Sequence, residues 1–196
     1  GLYFLQEYAR DKTPILFVHG SGGNPTDFRP LIEGLDRSRY QPWVYFYPTG
    51  MRLERQSELL YHMLTALRNQ FEFRRLCVLA HSMGGLVARG AISEAVKRST
   101  PMEFPTFITL STPWQGHAGA EKGVAQSPAV VPAWRDMAPS SPFLKQMWEI
   151  PLPKKTAYYL IFGYSGDFSL MINRNNDGAV SLASELDPRA QVAARR

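Results

Sequence analysis

Ser82 stands at the end of a short apolar run, Leu76-Cys77-Val78-Leu79-Ala80-His81, and just before Met83-Gly84-Gly85. A serine hydroxyl becomes a nucleophile only when something places it, exposes it and takes its proton. A tight turn from a buried strand into a helix does the first two. It needs small residues two positions before and two after the serine, and Ala80 and Gly84 stand there. Gly85 lets the new helix pack close to the strand. The helix N-terminus beneath Ser82 offers N–H donors and a dipole suited to a developing negative charge. The remaining requirement is a base, and the chain has four histidines: His19, His62, His81 and His117.

The elements that must position this serine follow from hydrophobic periodicity. Short runs rich in β-branched and aromatic residues predict strands at Ile15–Val18, Trp43–Tyr47, Leu76–Leu79, Phe107–Leu110 and Tyr158–Phe162, with Leu2–Tyr8 as an edge strand or arm. Asn24-Pro25-Thr26 caps a helix running to about Leu35. Leu59, Leu60, Met63, Leu64, Leu67 and Phe71 recur at helical spacing, as do Leu86, Val87, Ala91, Ile92, Ala95 and Val96. Strands alternating with helices predict an α/β fold, a mostly parallel sheet covered on both faces. Residues 114–153 break that rhythm with six prolines and three tryptophans. Their composition predicts short helices in an insertion that caps the serine's edge of the sheet.

Composition narrows the classes. At 196 residues the chain makes one domain with that insertion. Its net charge is +5, but the basic residues are scattered in runs no longer than two, which speaks against nucleic acid as a partner. The single cysteine, Cys77, excludes an internal disulfide and reads as an inert buried thiol. No histidines or carboxylates have metal-ligand spacing, and no cofactor is expected. The chain begins at Gly1, so a processed piece is expected, with any signal peptide or anchor upstream out of view.

Three separated motifs together resemble the α/β-hydrolase superfamily in its bacterial lipase and esterase branch. Phe17-Val18-His19-Gly20-Ser21-Gly22-Gly23 resembles the His-Gly oxyanion loop, and Ala80-His81-Ser82-Met83-Gly84-Gly85 the nucleophile elbow. Ser111-Thr112-Pro113-Trp114-Gln115-Gly116 resembles the stretch after the next strand in many lipases. Ala80 occupies a position where glycine is commoner. The resemblance implies Ser82 as nucleophile, with the N–H groups of Ser21 and Met83 forming the oxyanion hole. It places the acid after the last strand, at Asp177 in Asn175-Asn176-Asp177-Gly178 or, alternatively, at Asp167.

The same resemblance puts the base on a loop some twenty residues after the acid, yet no histidine follows Asp177. The catalytic histidine is therefore expected beyond Arg196. A histidine-free protein and a displaced base at His117 are the alternatives. The implied activity is hydrolysis of carboxylic esters of small molecules or lipids through an acyl-enzyme on Ser82, in a bacterial envelope or secreted setting with contact to a membrane surface. An acyltransferase using the same serine, or a non-catalytic binding protein of the fold, are the competing readings.

Overall fold

Among the residues that the computed structural model describes, 1–165 and 175–195, six strands form one sheet. They are β1 (Leu2–Phe4), β2 (Thr13–Val18), β3 (Tyr40–Tyr45), β4 (Cys77–His81), β5 (Thr106–Leu110) and β6 (Ala157–Ile161). Their spatial order is β1-β3-β2-β4-β5-β6. Every neighbouring pair is parallel except β1 on β3, where the predicted N-terminal arm turns back as an antiparallel edge. The connection from β3 to β4 crosses β2, so the direction in which the sheet grows reverses between β2 and β4. Ligands in open α/β sheets bind in the crevice at such a reversal, beyond the carboxyl ends of the strands. The two glycine-containing motifs leave the sheet at these two ends, where Val18 pairs with Ala80.

The helices are α1 (Arg29–Glu33), α2 (Leu53–Phe71), α3 (Met83–Lys97), α4 (Ala118–Gln126), α5 (Pro132–Met137), α6 (Pro142–Gln146), α7 (Leu182–Glu185) and α8 (Pro188–Ala193). A 3-10 turn, Pro25–Phe28, leads into α1. The sheet's two faces carry unequal cores. On one, Leu16, Trp43, Val78, Phe107 and Tyr158 pack beneath Leu60 and Leu64 of α2, Leu86 and Val87 of α3, and Ala190 of α8. On the other, a smaller cluster joins Phe17 and Val44 to Phe28 and Ile32 of the first connection.

Helix α2 begins at Leu53, earlier than its apolar stripe suggests. Its first turns bury polar residues that periodicity does not register. Gln56 accepts the Tyr45 hydroxyl at 2.8 Å, and the Ser57 hydroxyl returns to the Leu53 carbonyl at 2.9 Å. Gly90 of α3 makes room for Ser57, since a Cβ there would lie 2.2 Å from its Oγ. Cys77 is half-buried rather than buried, because alternate residues of β4 face the thinner cluster; burial pushes its thiol upward from the ordinary value.

Residues 114–153 fold into α4, α5 and α6, with Trp114 and Leu144 in the main core. The insertion is tied to the loop ahead of α2, where Ala133 N–H donates to the Gly50 carbonyl at 3.0 Å. No described helix is long and apolar enough to cross a membrane.

Candidate active site

Ser82 has φ 51° and ψ −128°, a backbone conformation that non-glycine residues adopt only when their surroundings impose it. Three contacts impose it here. The Ser82 N–H donates to Leu110 O of β5 at 2.8 Å, and its carbonyl accepts Gly85 N–H at 2.9 Å. Behind the turn, α3 lies so close to β2 that a Cβ on Gly84 would sit 2.3 Å from the Val18 carbonyl oxygen. Likewise a Cβ on Gly85 would meet Thr112 Oγ1 at 2.0 Å. The small residues read from the sequence are therefore what lets the helix close onto the strands.

The loop after β2 lies directly against this serine. A Cβ on Gly20 would be 2.9 Å from Ser82 Cβ and 3.1 Å from His81 Nδ1. The loop is braced from below. His19 is buried, stacks on Tyr47 at 4.5 Å, and places Nδ1 2.9 Å from the Gly20 carbonyl. Its Nε2 accepts the Tyr47 N–H at 3.4 Å, while the Tyr47 hydroxyl donates to His19 O at 2.7 Å. This network assigns the proton to Nδ1. Burial holds the imidazole below its ordinary value, so His19 is a neutral strut. Gly22 N–H reaches Thr49 Oγ1 at 3.2 Å, and Asn24 and Asp27 cap the turn that follows.

Ser21 follows Gly20 in the loop that lies against the serine, and Met83 follows the serine itself. Met83 is the first residue of α3, where an N–H has no partner within the helix. Neither the Ser21 nor the Met83 N–H donates to a partner among the described residues. Both expected oxyanion donors are thus free.

Asp177 lies on the same edge of the sheet, beyond β6. Ser82 bonds to the end of β5, Ser111 N–H bonds to Ile161 O of β6 at 2.9 Å, and Gly163 follows β6. A Cβ on Gly163 would meet Asp177 Cβ at 2.9 Å and Ser111 Oγ at 3.2 Å. These contacts put Ser82 and Asp177 on the same end of the sheet, with β5 between them. Asp177 Oδ1 accepts Ala179 N–H at 2.9 Å and Val180 N–H at 2.6 Å. Burial opposes ionisation of this carboxyl, but the Val180 and Ala179 amides and the Ser111 hydroxyl outweigh it and hold it below its ordinary value. Asp167, the alternative acid, lies outside the described residues.

Of the other histidines, His62 is exposed on α2 and His81 lies beside Gly20. His117 puts Nε2 2.7 Å from the Ala179 carbonyl, so its N–H is spent on the acid loop's backbone rather than on a carboxylate. Sequence reading missed two neighbours of Asp177. Ser111, at φ 47°, sits in the third motif and was a signal to follow; Glu185 had none. Among the described residues no three His, Cys, Asp or Glu side chains group as metal ligands.

Several solved structures share this arrangement of strands and helices. The mature lipase BlEst2 of Bacillus licheniformis aligns with a TM-score of 0.66 at 17% identity, covering 92% of this chain and 83% of that one. The lin2722 product of Listeria innocua gives 0.67 at 16% identity over 92% and 79% of the two chains. Phospholipase PlaB of Legionella pneumophila gives 0.67 at 16% identity, over 89% of this chain but 44% of that longer one. The fold is that of the α/β-hydrolases. No curated protein matches the sequence. The model of the family described as "Putative serine esterase (DUF676)" matches residues 11–146, and the chain belongs to that family. The match takes in the Gly20 loop, Ser82 and Ser111, and ends before Asp177.

Proposed function

We propose that the protein is a serine hydrolase that cleaves carboxylic esters through an acyl-enzyme on Ser82. The observation that carries this reading is the strained Ser82 backbone, with the Gly20 loop pressed against it and two free N–H groups beside it. Ser82 Oγ attacks the ester carbonyl as its proton passes to an imidazole. The Ser21 and Met83 N–H groups hold the oxyanion, each worth about 3 kcal/mol of transition-state stabilisation. Asp177 fixes the imidazole's tautomer and stabilises the imidazolium. The imidazolium protonates the departing alcohol, and water releases the acyl group by the same steps in reverse. Helices α4 to α6 shape the acyl pocket.

Of the histidines near the site, His19 has both ring nitrogens engaged by backbone groups, and His117 has Nε2 committed to the Ala179 carbonyl, so the scheme takes its imidazole from solution in the test that follows. Chemical rescue tests the scheme. Residues 1–196 should hydrolyse p-nitrophenyl butyrate slowly, and added imidazole should accelerate the reaction beyond its own background. Ser82→Ala should remove that acceleration. Equal acceleration in both proteins would overturn the nucleophile. Fast, Ser82-dependent turnover without imidazole would instead make His117 the base.

Gly20 gives a second test. In Gly20→Ala the new methyl forces the loop and Ser82 apart by a few tenths of an ångström. Misplacement by a full ångström in a reacting geometry costs about 100-fold, so this smaller shift should cost about 10-fold. The loss should fall on the rescued kcat, with KM little changed.

A further inference from the structure

A second carboxyl adjoins Asp177. Glu185, the last residue of α7, is 1% exposed. Its Oε2 accepts the Gly163 N–H at 3.1 Å, and its buried Oε1 makes no hydrogen bond of good geometry among the described residues, although the Ser111 hydroxyl lies close by. Gly163 is also the residue that touches Asp177 and Ser111, so one backbone segment is wedged between both acids. Two carboxyls sharing a site do not both ionise without a large penalty. Which of them holds the charge follows from their donors. Asp177 Oδ1 takes two amides, whereas Glu185 has one amide for two oxygens. An orphaned buried carboxyl oxygen facing an anion is satisfied when it carries a proton.

We propose that Glu185 is a positioning residue of the acid site, a neutral carboxylic acid whose O–H is donated to the Asp177 carboxylate and fixes it without adding a second charge. The electrostatics agree. Burial first, and then the negative charge of Asp177, push the Glu185 carboxyl up to about 7, against the Gly163 amide and the Ser111 hydroxyl. The other ionisable groups packed around this corner have partners of their own. His117 is bonded to Ala179 O, Asp187 is paired with Arg189 at 2.7 Å, and the Tyr158 hydroxyl meets Thr109 Oγ1 at 3.0 Å. The acid loop is also pinned to the β5–α4 loop, since Ser184 Oγ donates to Gly116 O at 2.7 Å. Glu185 is thus held from both sides while it holds Asp177.

The positioning role rests on the esterase reading, but the proton on Glu185 does not, and the test separates them. An acid raised on folding keeps a proton that the unfolded chain has lost. Its contribution to stability is full below pH 4.5 and is lost as pH rises to about 7. Between pH 4.5 and 8 the Tm of the wild type should therefore fall by about 5 °C relative to Glu185→Gln. In Asp177→Asn, where the repelling charge is gone, the same fall should move to lower pH. Parallel curves for wild type and Glu185→Gln would overturn the neutral acid. Should Glu185→Gln fail to fold, an unshifted curve for Asp177→Asn would overturn the pairing. In imidazole-rescued hydrolysis, compared at equal concentrations of free-base imidazole because imidazole titrates in the same range, kcat should show a step near pH 7 in the wild type that is absent in Glu185→Gln. Profiles of the same shape would overturn the positioning role alone. Absence of any Ser82-dependent hydrolysis would sink the esterase reading and leave the Tm result standing.

Discussion

Ser82→Gly should stabilise the protein while abolishing ester hydrolysis, and Ser82→Ala should abolish hydrolysis alone. The two variants share the loss of the hydroxyl and differ in the backbone. At φ 51° and ψ −128° a Cβ costs on the order of 1–3 kcal/mol, which alanine keeps and glycine relieves. Glycine also gains freedom in the unfolded chain, which returns up to about 1 kcal/mol. The expected net gain is about 1 kcal/mol, or about 2–4 °C in Tm for a chain of this size. Loss of a serine nucleophile from a complete Ser-His-Asp set costs about a million-fold in kcat. In imidazole-rescued turnover of the present chain, both variants should fall to the imidazole background. Differential scanning calorimetry beside the p-nitrophenyl butyrate assay reads both quantities. A glycine variant less stable than the alanine variant would mean that the turn is not strained. An alanine variant that keeps its rescue would mean that Ser82 is not the nucleophile. Together the pair asks whether the fold spends stability to hold this hydroxyl.

The elbow was legible in the sequence because its constraints are local. Ala80, Gly84 and Gly85 are small for reasons that a strand-to-helix turn states in advance, and the close approaches of α3 to Val18 and Thr112 are those reasons in space. The sheet was legible for the same cause, since each strand is a short apolar run. What the runs did not show was the unequal covering of the two faces, because alternate residues such as Leu79 and Ile15 are apolar whether deeply or partly buried. The early start of α2 was hidden because Gln56 and Ser57 are buried through hydrogen bonds rather than hydrophobicity. Glu185 was hidden because its meaning depends on Gly163 and Asp177, which reach it only through the fold. Periodicity reports apolar burial, and polar burial has no period.

Asp136 is the clearest case of that blindness, and it carries the largest stability effect expected here. It sits on α5 in the insertion and is 1% exposed. Its two oxygens accept Arg52 Nε at 2.8 and 2.9 Å, and Oδ2 accepts the Leu53 N–H at 2.6 Å. Arg52 precedes α2 and offers that helix no side-chain cap. Asp136 therefore caps α2 from another part of the chain, where a negative charge meets free N–H groups and the positive end of the dipole. Its own carbonyl accepts the Ser141 hydroxyl at 2.6 Å, which carries the connection on to α6. Asp136→Ala strips the cap and leaves Arg52 and the buried amides unpaired. Breaking one side of such a buried pair costs about 3 kcal/mol, the low end of the usual range because Arg52 is half exposed to solvent. The corresponding fall in Tm is about 6–12 °C. Asp136→Asn keeps the hydrogen-bond acceptor and loses the charge, and should fall between the two. A loss under about 1 kcal/mol in Asp136→Ala would mean that the insertion holds to α2 by apolar packing alone. Where the loss is as large as argued, it should act on the insertion before the sheet, because the elbow's contacts run through β2, β4 and β5 and none passes through α5. Below its Tm the variant should then keep imidazole-rescued turnover of a short butyrate ester and lose it on long acyl chains, which on the proposed reading need a pocket shaped by α4 to α6.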